Sequence, residues 1–305
     1  MKNILNSPKR KGYFFAALSA LAVSNVYIFS KAALRDTDLF IFGFFWFLSA
    51  FLYNLIYTIS TKKIHLYFNY STKQKFVLAF IGLVEMMAAY FFFEGVNVIE
   101  NPTIVSFLDT CTPIFVTILG IIFLKDKFNS IELSGMALAI VGAVMVSYSG
   151  SFALSNLFIY GSHFAVLAAL FASIGITLAK SQIKAYEPAI LSLNRTIYLI
   201  ILFSALMFIH QRPFHISPKS FLFAAIGSFS GPFLGAVLQY NAFKYIEASK
   251  TLIIQSTRSF IVLLLILIFF GLFPLIHQLI GGVIAIIGVI IIAFGSMKLK
   301  LRAIK

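Results

Sequence analysis

Five ionisable side chains stand in the middle of long apolar runs of this 305-residue chain: Glu85, Glu94, Asp109, Arg195 and Arg258. An ionised group at membrane depth costs roughly 3 kcal/mol on insertion scales, so each must face a partner or a water-filled cavity. Three acids against two bases nearly cancel, and mutual pairing neutralises most of the charge. A carboxyl buried against apolar walls holds a proton more readily, which makes Glu85, Glu94 and Asp109 candidate proton carriers. Arginine clamps a carboxylate with parallel hydrogen bonds, while the ring faces of Trp46, Tyr90 and Tyr240 suit a cationic head. The expected solute-binding set is therefore Trp46, Tyr90, Glu94, Asp109, Arg195, Gln239, Tyr240 and Arg258. A zwitterion such as an amino acid would use both kinds of contact.

Spacing groups these residues. Ser106, Asp109, Thr110, Pro113 and Thr117 recur at three- and four-residue steps and make one polar stripe, and Thr251, Gln255, Arg258 and Ser259 make a second. Hydroxyls such as Thr117 and Thr251 are expected simply to bond back to their own helix. Tyr90, Glu94 and Asn97 share a helix face, whereas Glu85, nine positions before Glu94, lies about half a turn away and does not share its site. Hydrolytic chemistry has no support, because no His-Glu-x-x-His, Gly-x-Ser-x-Gly or Gly-x-Gly-Asp arrangement occurs. The single Cys111 excludes an intramolecular disulfide and a cysteine zinc site, and the five histidines lack metal-ligand spacing. The sequence calls for no metal and no cofactor.

The elements that position these groups follow from composition. With 60% hydrophobic and only 11% charged residues, and a mean hydropathy of +0.97, the chain cannot cover a water-facing surface. Ten windows are long and apolar enough to cross a bilayer, at about 13–34, 38–60, 75–99, 102–124, 131–149, 157–181, 187–209, 220–243, 251–271 and 275–296. Runs such as Ile261–Phe270, apolar at every position, exclude the alternating pattern of a transmembrane barrel. A net charge of +14 would suggest nucleic acid in a soluble protein, but here it sets topology. Eighteen Lys and Arg fall on one side of a ten-span arrangement. Only Lys31, Arg35, Arg212 and Lys219 fall on the other. The positive-inside rule then places both termini of a multi-pass protein in the cytoplasm; the expected location is a bacterial inner membrane.

The chain also repeats itself. Phe93 to Glu100 matches Tyr240 to Glu247 at an offset of 147, and Gly135 falls on Gly282. Leu21, Ser24 and Lys31 match Leu170, Ser173 and Lys180 at an offset of 149. Five spans per half is odd, so the second copy enters the membrane from the opposite side. The expected fold is an all-α integral membrane protein of ten transmembrane helices, two inverted five-helix repeats at residues 1–150 and 151–305.

At these residues the chain resembles the EamA repeat of the drug/metabolite transporter superfamily. The resemblance rests on Glu100-Asn101-Pro102-Thr103 through Pro113, then Leu124-Lys125-Asp126, then Gly135 to Gly142, with Ser24-Asn25-Val26 and Lys31 resembling the opening helix. Trp46 departs from it, standing where many relatives carry an arginine, and Gly271-Leu272-Phe273-Pro274 replaces the acidic turn in the second half. The resemblance implies a secondary active transporter, not an enzyme. It would carry a small polar metabolite, an amino acid or a related zwitterion or cation, by alternating access with possible proton coupling. An exporter of drugs or other metabolites, or a lipid flippase of the same fold, is the alternative. The cavity is expected between spans 1, 3, 4, 6, 8 and 9, with spans 2 and 7 closing it. Spans 5 and 10, glycine-rich and uncharged at their centres, are expected as scaffold or as the face of a homodimer, the protein being otherwise a monomer. The partners are the small-molecule solute and the lipid bilayer, with no nucleic acid.

Overall fold

The computed structural model describes residues 7–124, 130–151 and 157–303. Lys125 and Asp126 of the expected repeat motif lie outside them, as does Lys127. Among the described residues there is no strand ladder, and nine helical stretches are long and apolar enough to span a bilayer, with Ile276–Ile292 a tenth apolar helix that continues to Ala303. The protein is a multi-pass membrane protein of the two-repeat, all-α kind that the apolar windows imply.

Span 1 is Pro8–Leu34, span 2 Leu39–Ser60, span 3 Thr72–Val98, span 5 Ser130–Ser147, span 6 Ser162–Ser181, span 7 Pro188–Ile209 and span 10 Ile276–Ala303. Proline at the first helical position, where no intrahelical N–H is lost, opens spans 1, 7 and 8. Ser71 and Gln74 form a reciprocal capping box ahead of span 3. Span 6 starts five residues later than its apolar window, because Gly161 adopts a left-handed conformation at φ 91° and turns the chain just before the helix.

Three spans are interrupted: spans 4 and 8 at the prolines Pro113 and Pro232, which in the sequence mark where a helix bends, and span 9 with no such mark. Span 4 divides into Pro102–Leu108 and Cys111–Leu124, and span 9 into Ala248–Ser256 and Arg258–Phe270. Pro113 explains the first break: its ring would clash with the carbonyl of Asp109, four residues back, and it has no N–H to donate. It is tolerated because it falls in the first turn of the second half-helix. Span 8 runs from Pro218 to Tyr245 through a π-helical segment, Phe229–Gly235, that contains Pro232. Asn54 of span 2 and Ser192 of span 7 both donate to the Pro232 carbonyl, at 3.3 and 3.4 Å. The hydroxyls of Thr117 and Thr251 bond back to their own helices, at Pro113 and Glu247.

The inverted repeat is visible as a repeated contact. The Lys31 ammonium, at the end of span 1, donates to the carbonyls of Val96 and Ile99 at the end of span 3, at 3.0 and 2.8 Å. Lys180, 149 positions on, donates to Phe243 and Ile246, each 147 positions on, at 2.6 and 2.8 Å. Both lysines satisfy carbonyls that a helix end leaves without a partner and complement its negative dipole end. Spans 2 and 7, themselves repeat mates, run antiparallel along each other, so the two halves are inverted.

Spans 5 and 10 pack against each other through their glycines. A Cβ at Gly288 would lie 2.5 Å from the Ala139 nitrogen and 2.6 Å from the Gly135 carbonyl oxygen, and one at Gly142 only 2.5 Å from Gly281 and Ala285 backbone atoms. These small-residue faces are consumed within the chain, so a dimer through spans 5 and 10 would have to use their outer surfaces, which carry Ile140, Val144 and Ile287. Gly288→Val is expected to force the two backbones apart and cost about 1–3 kcal/mol. Thermal unfolding in detergent measures it, and an unchanged midpoint would show that the interface yields freely.

Candidate functional site

A cavity of about 160 Å³ lies at the centre of the bundle, lined by spans 1 to 4 and 6 to 9. Among the described residues, none from spans 5 and 10 lines its wall. Spans 2 and 7 contribute Trp46, Phe47 and Arg195, so they form part of the wall as well as flanking it. Much of the lining obeys the repeat relation. Trp46 maps to Arg195, Ser106 to Gln255, Asp109 to Arg258 and Thr110 to Ser259 at 149 positions; Ala89 maps to Ala236, Phe92 to Gln239 and Phe93 to Tyr240 at 147. The cavity therefore sits astride the pseudo-twofold axis. Chemistry differs between the mates: the first repeat supplies both acids and most of the aromatic rings, the second both arginines and both glutamines.

Two ion pairs stand on that wall. Glu85 of span 3 pairs with Arg195 of span 7, its Oε2 lying 3.0 Å from Nε and its side chain 8% exposed; Nε itself makes no hydrogen bond of good geometry among the described residues. Gly175 of span 6 makes room for it, since a Cβ there would lie 3.0 Å from Glu85 Oε1. Asp109 pairs with Arg258 Nη2 across the breaks in spans 4 and 9. Its second supports are the Tyr27 hydroxyl, donating to Oδ2 at 2.9 Å, and the Thr112 hydroxyl, donating to Oδ1 at 3.0 Å. Asp109 also stands at the N-terminal end of the second half of span 4, where the helix dipole favours an anion. Acid and base therefore meet where both helices are interrupted.

Polar links hold this centre in place. Gln255 donates to Ser19 Oγ at 3.1 Å, Ser19 in turn to the Gly235 carbonyl at 2.9 Å, and Ser259 to the Ser106 carbonyl at 2.8 Å. They tie span 9 to spans 1, 8 and 4. Trp46, fully buried, packs edge-on against Phe93 with ring centroids 5.5 Å apart. Its indole N–H and the Ser106 hydroxyl have no hydrogen-bond partner among the described residues. A buried donor left unpaired is uncommon and expensive.

Of the eight residues expected to bind solute, Trp46, Asp109, Arg195, Gln239, Tyr240 and Arg258 line the cavity. Tyr90 and Glu94 do not line it: the Tyr90 hydroxyl donates to Glu94 Oε1 at 3.1 Å on a half-buried face of span 3. Among the three acids considered for proton transfer, Glu85 and Asp109 line the cavity and Glu94 lies apart from it. Sequence reasoning passed over Tyr27, although it stands three residues after Ser24 and four before Lys31, on the helical face of span 1 that those residues already marked.

Charged side chains also close the ends of the bundle. Lys63 and Lys244 both reach Glu187, at 3.0 and 3.1 Å, beside the Tyr70 and Tyr186 rings. Burial opposes ionisation of Glu187, but hydrogen bonds from Lys63 and Lys244, and the charges of both, outweigh it and hold its carboxyl below the usual range. A folded-state pKa below the unfolded one means the contribution is complete above the unfolded value and is lost as pH falls through the folded one. Melting scans from neutral to acid pH are accordingly expected to show a steeper loss of stability for the parent than for Glu187→Gln. Equal slopes would contradict this.

The sequence profile of the EamA-like transporter family matches residues 10–148 and again residues 159–294. No curated protein matches the chain. A solved crystal structure superposes on it with a TM-score of 0.69 at 11% identity, covering 94% of this chain and 98% of its own, a likeness of fold alone.

Proposed function

The chain belongs to the EamA-like transporter family, within the drug/metabolite transporter superfamily, and from that premise we propose that it is a secondary active transporter working by alternating access around the central cavity. Each repeat, residues 1–150 and 151–305, serves as one half of the moving machinery. The observation that carries this reading is the pair of neutral ion pairs, Glu85–Arg195 and Asp109–Arg258, on the wall of one cavity astride the repeat axis. A scaffold has no need of four charges there, each costly at that depth.

The solute class follows from charge balance. An ion pair can open without leaving a bare charge if a zwitterion enters, its carboxylate replacing Asp109 at Arg258 and its ammonium replacing Arg258 at Asp109. A cavity of about 150 Å³ takes a benzene-sized guest, which suits a small amino acid or a related compound in this conformation. Protonation of Asp109 or Glu85 would likewise free its arginine, and this supplies a route to proton coupling. A second reading, an organic cation of the drug type, is favoured by the aromatic wall of Trp46, Phe47, Phe92 and Phe93. The end of the bundle carrying Lys63, Lys75, Lys180 and Lys244 faces the cytoplasm of a bacterial inner membrane under the positive-inside rule.

Trp46 is the only tryptophan in the chain, so intrinsic fluorescence reports on the cavity directly. Titration of purified protein with alanine, serine, choline and phenylacetate is expected to give saturable changes with the zwitterions, matched by counterflow of the same compounds into proteoliposomes. Saturation by choline alone would transfer the assignment to organic cations. Absence of both signals for all four would remove the carrier reading for these classes.

A further inference from the structure

Four charged residues at the ends of spans 2 and 7 obey the repeat relation and take no part in the cavity. Asp38 caps span 2, its side chain accepting from the Phe40 N–H at 2.9 Å, and it pairs at 3.2 Å with Arg212, just beyond span 7. At 149 positions Asp38 maps to Glu187, which stands at the head of span 7, and Lys63, just beyond span 2, maps to Arg212. Glu187 and Lys63 form the mate of the first pair, at 3.0 Å. One contact is thus made twice, at the two ends of an antiparallel helix pair: an acid heading one span meets a base at the foot of the other. Phe42 and Phe203, in the halves of spans 2 and 7 nearer Asp38, and Leu78 and Ile190, in spans 3 and 7, are buried and do not line the cavity.

Resting on the alternating-access reading, we propose that Asp38–Arg212 and Glu187–Lys63 are the exchanging latches of the transport cycle, each holding one end of the cavity shut and opening while the other stays made. In an inverted repeat the two halves exchange conformations as access alternates. A contact at one end must then take the state of its symmetry mate at the other. Partly exposed ion pairs are weak, as a contact must be if it breaks once per cycle. With both pairs formed, the structure holds both latches closed.

A cysteine placed at Ala89 on the cavity wall, in a Cys111→Ser background, reports access from either face when sealed vesicles of each orientation are treated with a membrane-impermeant maleimide. Glu187→Gln is expected to raise the labelling rate from the Lys63 end about three- to tenfold and to lower it from the Asp38 end. Asp38→Asn is expected to do the reverse. Equal shifts from both faces, or no shift in well-folded protein, overturn the proposal. Should Glu187→Gln fail to fold, Lys63→Gln with Lys244→Gln, which strips both bases from Glu187, decides: labelling raised from that end supports the latch, and parental labelling in folded protein refutes it. The readout needs no solute. Opposite shifts without any uptake would leave the latches and remove the carrier reading, whereas uptake without shifts would remove the latches.

Discussion

Replacing Arg258 with alanine is expected to cost about 3–5 kcal/mol of stability, because it leaves the Asp109 carboxylate inside the bundle without its counter-charge. Asp109 retains only the hydroxyls of Tyr27 and Thr112, which stabilise an anion far less than a guanidinium does. The companion Asp109→Leu with Arg258→Leu removes both charges together and is expected to recover most of the loss, since apolar replacements of a buried pair are often neutral. Detergent unfolding of Asp109→Leu, Arg258→Leu and the double closes the cycle. If the double falls as far as the sum of the singles, Asp109 and Arg258 are not coupled and the central pair has been misjudged. Counterflow by a folded double variant is expected to be absent, because stability can be restored without the charges and zwitterion binding cannot.

The second large effect concerns proton coupling. Asp109→Asn and Glu85→Gln are each expected to lower uptake driven by a pH gradient by about 10- to 100-fold, the worth of one hydrogen bond to a charged group. Glu94→Gln is expected to leave it near the parental level, since Glu94 faces Tyr90 on span 3 and is absent from the cavity wall. Uptake assayed with and without a proton ionophore separates coupling from binding. Loss of the gradient response in Glu94→Gln alone would move the proton path off the axis and sink the role given to the two ion pairs.

These predictions depend on facts of unequal legibility. Ten spans could be read directly, because a helix in lipid must be apolar along its whole length and few other features of a sequence are so constrained. The repeat was legible too, and its two offsets reappear as matched contacts of Lys31 and Lys180. The interruptions were harder. Pro113 announced a disturbance, but in the structure the break precedes it, at Asp109, because a proline acts on the carbonyl four residues back. Nothing in span 9 marked its break with comparable force. The end pairs escaped notice although Asp38, Lys63, Glu187 and Arg212 are spaced by the same 149, since loop charges were read only for topology.

By itself the sequence determined which residues lie at membrane depth, that five of them carry charge, and that the two halves are inverted copies. Those properties are summed along the chain and need no knowledge of neighbours. Only the tertiary structure decided that Asp109 meets Arg258, that Glu85 meets Arg195, and that Glu94 turns to Tyr90 instead. Pairing depends on the rotation of each helix about its axis. That rotation is set by close contacts such as Gly142 against Gly281 and Glu85 against Gly175, and a run that is apolar on every face does not specify it.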